Sequence, residues 1–317
     1  MLKRIVLVFA LMASSAAAQE LQFGILSTES SQNLKPHWEP ILADMARAIG
    51  MPVKAYFAPD YAGIIEAMRF NKLQVAWLGN KPAIEAVDRA NAEVFAQMLY
   101  ADGAPGYYSL LIVHRDSPVH TIQDLFNEKQ KWIFSSGDPN STSGTIVPGY
   151  YLFAQNGVDP RKHFKAYRNA SHETNFLAVV HRQVDAATVS SEILQRFEQR
   201  EPERIKEVRV VWRSPLIAND PLAWRKDLPD AVKAKVREFW LGYGKAPGEK
   251  EKLKPILAGG FRESSDLQLV PYRQLDLIRE KAKIEADTTL SDAQKQERLA
   301  TIARRLDTLN QQLAAAK

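Results

Sequence analysis

Asn140, Ser141, Thr142 and Ser143 stand in a row inside "GDPNSTSG", closed by Gly144 and followed by the apolar residues Ile146, Val147, Tyr150, Tyr151, Leu152 and Phe153. That order predicts a helix whose first turn is rich in hydroxyls. Two chemistries suit it. Ser and Thr at a helix start accept hydrogen bonds from amides that have no partner in the first turn. The same amides, aligned with the helix dipole, attract an anion. The loop alone leaves capping and anion binding open. Pro148 falls inside the predicted helix, where it removes a backbone hydrogen bond and should kink or shorten the element.

Signatures of covalent chemistry are missing. The loop lacks the Gly-Lys-Ser/Thr ending of a P-loop, so nucleotide hydrolysis is not expected. "HETNF" (172–176) begins like a zinc-protease helix, but Phe176 stands where the second histidine ligand is needed. There is no G-x-S-x-G elbow, no cysteine, and six scattered histidines offer little from which to build a metal centre. The expectation is therefore no catalytic residue, no metal and no cofactor. The formal charge of +5, from 42 basic and 37 acidic residues, is spread along the chain without a basic run interleaved with aromatics. Nucleic acid is not an expected partner.

The elements that must position these residues follow an alternating pattern. "LQFGILST" (21–28) reads as a strand, and Ile41, Met45 and Ile49 then recur at helical spacing up to Gly50. "VKAYFAP", a helix from Tyr61 to Asn71, "LQVAWLG", a helix from Pro82 to Ala90, "VFAQML" and "YYSLLIV" continue the alternation, which predicts an α/β sheet. A second set starts near Asp116, with "TIQDLF", "KWIFSS", the helix after Gly144, "HFKAYR", a helix from His172, "VDAATV" and a helix ending near Glu201. With 317 residues, 45% of them hydrophobic, the chain can build two such lobes. The Pro-broken segment "EVRVVWRSPLIANDPLAWRKDL" leads back to the first. The expected division is 19–115 and 214–271 for lobe I and 116–213 for lobe II, a hinged clamp joined by two crossings.

Both ends of the chain carry their own signals. Residues 1–18 read as a cleavable secretory signal, with Lys3 and Arg4, an apolar stretch from Ile5 to Met12, and small residues at Ala16 and Ala18. Removal of that segment takes two positive charges with it. The mature protein is expected to be exported and soluble, and without cysteine its stability must come from packing. Beyond Pro271, residues 272–317 form a helical extension in which Leu299, Ile302, Leu306, Leu309 and Leu313 follow the three-four spacing of a coiled-coil seam. The seam allows packing on the chain's own body or a homodimer.

Seven stretches together, "FGILSTESSQNLKPHWEP", "FAPDYAGIIEAMRFNKLQVAW", "ADGAPGYYSLLIV", "GDPNSTSG", "HETN", "SPLIANDP" and "SSDLQLVP", resemble the periplasmic phosphonate-binding proteins of phosphonate ABC importers. The resemblance runs from about Leu21 to Pro271 and is weakest in the C-terminal helices. It implies a two-lobed type II periplasmic binding protein fold that closes on one ligand and delivers it to an inner-membrane permease with its ATPase. It implies no enzyme activity. The family's Ser-Thr-Ser cradle corresponds to Ser141, Thr142 and Ser143, and its phosphonate-contacting tyrosine and histidine correspond to Tyr61 and His172. Members that prefer 2-aminoethylphosphonate use a tyrosine and two carboxylates for the ammonium, matched here by Tyr107, Glu192 and Asp220. Leu78 after Trp77 and the "TVSSE" approach to Glu192 depart from near relatives. The rival reading is a secreted phosphonate or phosphate-ester hydrolase, which would need a metal or an activated nucleophile.

Overall fold

The computed structural model describes residues 20–315, so the expected signal peptide lies outside the described residues. The strands are, in chain order, β1 (Leu21–Ile25), β2 (Val53–Phe57), β3 (Val75–Trp77), β4 (Ala92–Tyr100), β5 (Gly106–Tyr107) and β6 (Ser109–His114). They continue as β7 (Ile133–Ser136), β8 (Ala166–Asn169), β9 (Ala186–Ser190), β10 (Val208–Arg213), β11 (Ile217–Ala218), β12 (Pro221–Arg225) and β13 (Ala258–Glu263). Two sheets result. A six-stranded one has the order β13-β4-β12-β3-β1-β2 and a five-stranded one the order β10-β6-β9-β7-β8. The chain crosses between them twice, and β5 pairs with β11 as a two-stranded ribbon at the crossings. The first crossing therefore falls before β6 and not at 115/116 as the sequence pattern predicts: β6, expected in lobe I, pairs with β9 and β10 in the smaller sheet, because a strand that follows the crossing ribbon directly is already on the far side.

Helices cover both faces of each sheet, and β1, β6 and β9 are accordingly buried along almost their whole length. In the larger lobe Phe23, Trp38, Trp77 and Trp240 interlock, with ring centroids 5.3 to 6.5 Å apart along the chain of contacts. This aromatic core lies at the carboxyl end of β3, directly before the helix Asn80–Arg89. The smaller lobe is built around Leu111, Val113, Phe134 and Phe153 on one side of its sheet and Ile112, Phe176, Val189 and Phe197 on the other. Phe176, at the position a second zinc ligand would need, is a core residue stacked on Phe197 at 4.1 Å.

The segment after Gly144 departs from the single helix expected. It forms two wide π-helical turns, Thr142–Ile146 and Gly149–Phe153, with Pro148 at their junction. Pro148 leaves the Gly144 carbonyl without its usual partner four residues on. That carbonyl instead accepts from the Gly137 N–H (2.9 Å), the Ser136 hydroxyl (3.0 Å) and the Thr188 hydroxyl (2.7 Å). The freed acceptor thus ties the loop to β7 and β9. The two glycines meet closely: a Cβ on Gly137 would lie 2.4 Å from the Gly144 Cα, so neither position admits a side chain without moving the other.

The C-terminal extension begins two residues earlier than expected, with the helix Val270–Ala286, and turns back as the helix Asp292–Ala315. The leucine seam is used within the chain. Ile302 and Leu309, flanked by Leu299, Leu306 and Leu313, pack on Val270, Leu277 and Ile284, which repeat at heptad spacing on the first helix. The first turns of that helix belong to the main body, where Tyr272 and Leu275 join the core of the larger lobe. No described helix is long and apolar enough to cross a membrane.

Candidate functional site

The strand–helix junctions of the two lobes face each other. Asp60 caps the helix Tyr61–Arg69 and thereby sets Tyr61 at its first position; the Tyr61 N–H donates to Asp138 Oδ2 of the opposite lobe at 3.2 Å. Ser141 caps the first wide turn by accepting the Gly144 N–H at 2.9 Å. Thr142 Oγ1 accepts the Lys81 N–H, at the start of the helix Asn80–Arg89, at 2.8 Å across the cleft. Capping and a site at the cleft are therefore not alternatives for this loop, since one serine is both cap and wall. All three hydroxyl residues are buried.

His172 opens the helix His172–Val180, after the cap Ser171. Its Nδ1 accepts the Ser190 N–H at 3.1 Å, so in the neutral ring the proton sits on Nε2. Nε2 lies 3.2 Å from Ser141 Oγ and 3.5 Å from Ser143 Oγ. Burial, with the nearby Arg196 charge, pulls the His172 pKa down to about 4. The ring is therefore a neutral donor at physiological pH. The Tyr61 hydroxyl is held far above its ordinary range by burial and by Asp138 and Asp220, opposed by a hydrogen bond with Ser141. It too remains a donor.

The carboxylates occupy the other end. Glu192 lies in the first turn of the helix Ser191–Arg200, two residues beyond the Ser190 that holds His172. Its Oε1 accepts the Tyr100 hydroxyl at 2.6 Å. Asp220, between β11 and β12, accepts the Tyr107 hydroxyl on Oδ1 at 3.1 Å. A Cβ added at Gly79 would lie 3.3 Å from Thr142 Oγ1 and 3.7 Å from Asp220 Oδ1, so one bare backbone position separates the hydroxyls from this carboxylate. Both carboxylates are buried and both are pushed upward in pKa by that burial. Arg196 opposes the shift at Glu192, whereas the Glu192 charge adds to it at Asp220. Two buried acids with one neighbouring guanidinium form a site that lacks positive charge.

The structure brings together all eight residues singled out from the sequence: Tyr61, Tyr107, Ser141, Thr142, Ser143, His172, Glu192 and Asp220. It adds residues that sequence reasoning missed. Tyr100 ends β4, one residue past the expected strand, and the alternation of that strand carried no hint of its partner. Gly79 and the Lys81 N–H complete the wall opposite the loop. Arg196 follows Glu192 by four residues on one helix, a spacing visible in the sequence, and its partner Glu29 comes from the other lobe.

Known proteins agree with this architecture. Residues 23–269 match the family described as "ABC transporter, phosphonate, periplasmic substrate-binding protein". The phosphonates-binding periplasmic protein of Escherichia coli K12 is 50% identical over 301 residues, covering 94% of this chain and 89% of the relative. A binding protein component of an ABC phosphonate transporter from Pseudomonas aeruginosa superposes with a TM-score of 0.92 at 47% identity, covering 94% of this chain and 99% of that one. The Prochlorococcus marinus protein PhnD1, solved with methylphosphonate, shares the fold at a TM-score of 0.72 and 21% identity, over 81% of this chain and 96% of its own. The hydrolase reading is thereby set aside, because these relatives bind substrate for a transporter and are not enzymes. The chain belongs to the family of periplasmic substrate-binding proteins of phosphonate ABC transporters.

Proposed function

We propose that the two lobes close over 2-aminoethylphosphonate, with the phosphonate oxygens on Ser141, Thr142, Ser143, Tyr61 and His172 and the ammonium between Glu192 and Asp220, oriented by Tyr107. The observation that carries this reading is the pair of buried carboxylates, each held by a tyrosine hydroxyl, at 2.6 and 3.1 Å, across a single bare glycine from the hydroxyl loop. Neutral donors suit a tetrahedral oxyanion, where each charge-assisted hydrogen bond contributes roughly 1.5 to 3 kcal/mol. An ammonium supplies the positive charge that the carboxylates lack. No bond of the ligand is made or broken.

Binding energy selects the closed form, which the inner-membrane permease with its ATPase then reads. The chain is proposed to work in the periplasm as a two-lobed clamp hinged at its two crossings. Of the two roles open to the leucine seam, intramolecular packing is the one its contacts support; a homodimer would have to use the opposite, charged face of the hairpin. Calorimetry with 2-aminoethylphosphonate, methylphosphonate, phosphite and phosphate tests the ligand assignment. The expected order places the aminophosphonate tightest by at least about tenfold, one buried charge interaction. Equal affinity for methylphosphonate would overturn it.

A further inference from the structure

A second set of charges crosses the cleft, and the ligand contacts leave it unused. Glu29, in the loop after β1, belongs to the larger lobe; Arg196 and Arg200 project from the helix Ser191–Arg200 of the smaller one. Arg196 Nη1 lies 2.5 Å from Glu29 Oε1, and Arg200 Nη1 lies 3.1 Å from Glu29 Oε2. Arg200 also reaches Glu173 at 3.1 Å. The Glu29 side chain is 1% exposed and that of Arg196 7%, so this pair is formed out of water, and it needs both lobes together.

Arg196 has a second acidic neighbour on its own helix. Glu192 precedes it by four residues, the spacing at which a glutamate and a following basic residue share one helix face. In the closed arrangement they are not paired. Glu192 accepts instead from Tyr100 of the other lobe, and Arg196 Nε is buried without a hydrogen-bond partner. The unmet donor carries a desolvation cost, which marks Glu29 as a partner that engages only part of the guanidinium.

We propose that Arg196 is a positioning residue for ligand selectivity: with the lobes apart it pairs with Glu192, and closure hands it to Glu29, which frees the Glu192 carboxylate for the ligand's ammonium. The inference rests on the reading that Glu192 receives that ammonium. A Glu192 still neutralised by its helix neighbour has little charge left for a cation. Glu29 arrives only on closure, so closing the cleft and unmasking the cation site are one event. Arg200 keeps a latch role alone, bridging Glu29 and Glu173 without a partner at the ligand.

The test measures binding of 2-aminoethylphosphonate and methylphosphonate to the full-length protein and to three variants: Arg200→Met, Glu29→Gln and Glu29→Gln/Arg196→Met. Arg200→Met should weaken both ligands by the same factor. Glu29→Gln should weaken methylphosphonate by that same factor and the aminophosphonate by about a further tenfold, the scale of one buried charge interaction. The double variant should return the ratio of the two affinities to within about threefold of the parent, because nothing then masks Glu192. Glu29→Asp, which withdraws the charge by one methylene, should shift the ratio in the same direction and serves where Glu29→Gln does not fold. An unchanged ratio in the Glu29 variants, or a ratio that stays shifted in the double variant, would overturn the exchange. A parent protein with no preference for the aminophosphonate would overturn the ligand reading as well.

Discussion

At one end of the cleft, three consecutive hydroxyl residues, Ser141 to Ser143, already have partners within the protein: a backbone amide, the Lys81 N–H and the His172 ring. At the other end Glu192 and Asp220, separated by 28 positions in the chain, meet two tyrosines carried by β4 and β5, with Glu192 and Tyr100 coming from opposite lobes. The first region is neutral and self-satisfied; the second is charged and short of cations. A neutral donor set accepts any tetrahedral anion of suitable size. A pair of buried acids penalises every ligand that brings no positive charge. In the proposed reading, affinity for the phosphonate group and choice among phosphonates are therefore built from different residues.

The comparison breaks most sharply at Glu192. Glu192→Gln should weaken 2-aminoethylphosphonate by about 3 to 5 kcal/mol, the cost of breaking a buried ion pair, while leaving methylphosphonate unchanged or improved. The opposite signs are what calorimetry must show; parallel losses would mean damaged closure. Thr142→Val probes the other end. It deletes a hydroxyl that meets the Lys81 amide across the cleft, and it should weaken every phosphonate by a similar amount, about 1 to 3 kcal/mol. Unequal losses would place Thr142 in ligand choice. Tyr107→Phe removes one hydrogen bond to Asp220 and should weaken the aminophosphonate by about 1 kcal/mol and methylphosphonate by less, read by the same titrations.

The smallest change concerns the ligand-free protein and pH. Asp220 and Glu192 have raised pKa values in the fold, so the folded state binds protons more tightly than the unfolded chain, and their contribution to stability is lost as pH rises through the raised values. His172 works against this. Its pKa is lowered to about 4, so protons favour the unfolded chain between about 6.5 and 4, and stability falls there as pH drops. The carboxylate contribution is isolated by comparing the parent with Asp220→Asn. The variant should gain melting temperature relative to the parent as pH rises from mild acid to neutral, and a constant difference across that window would remove the uncompensated carboxylate from the account.

Truncation bears on the C-terminal region in a related way. Tyr272 joins the main core, its hydroxyl accepts the Ala218 N–H at 2.6 Å, and Asp276 pairs with Lys81 at 2.8 Å beside the hydroxyl loop. Cutting after Pro271 would remove these contacts from the crossing that carries Asp220. A cut after Ala286 would expose only the hairpin seam. The second cut, and not the first, should therefore leave both ligand affinities unchanged.

Local chemistry determined a large part of this molecule. The alternation of apolar runs and helical spacings specifies two α/β lobes because strand and helix periods are written into neighbouring residues. Ser141 declares itself a cap by its place before Thr142 and Gly144, and His172 follows its cap Ser171 for the same reason. What tertiary structure alone decided is pairing between distant segments. Pro148 reads as a defect until β7 and β9 supply donors for the Gly144 carbonyl. The leucine seam has the same pattern whether it meets a second copy or the helix before it, and only the turn at 287–291 selects the latter. Tyr100 and Glu29 carry no local sign of their roles, because the groups that give them meaning, Glu192 and Arg196, lie more than ninety residues away and meet them across the cleft.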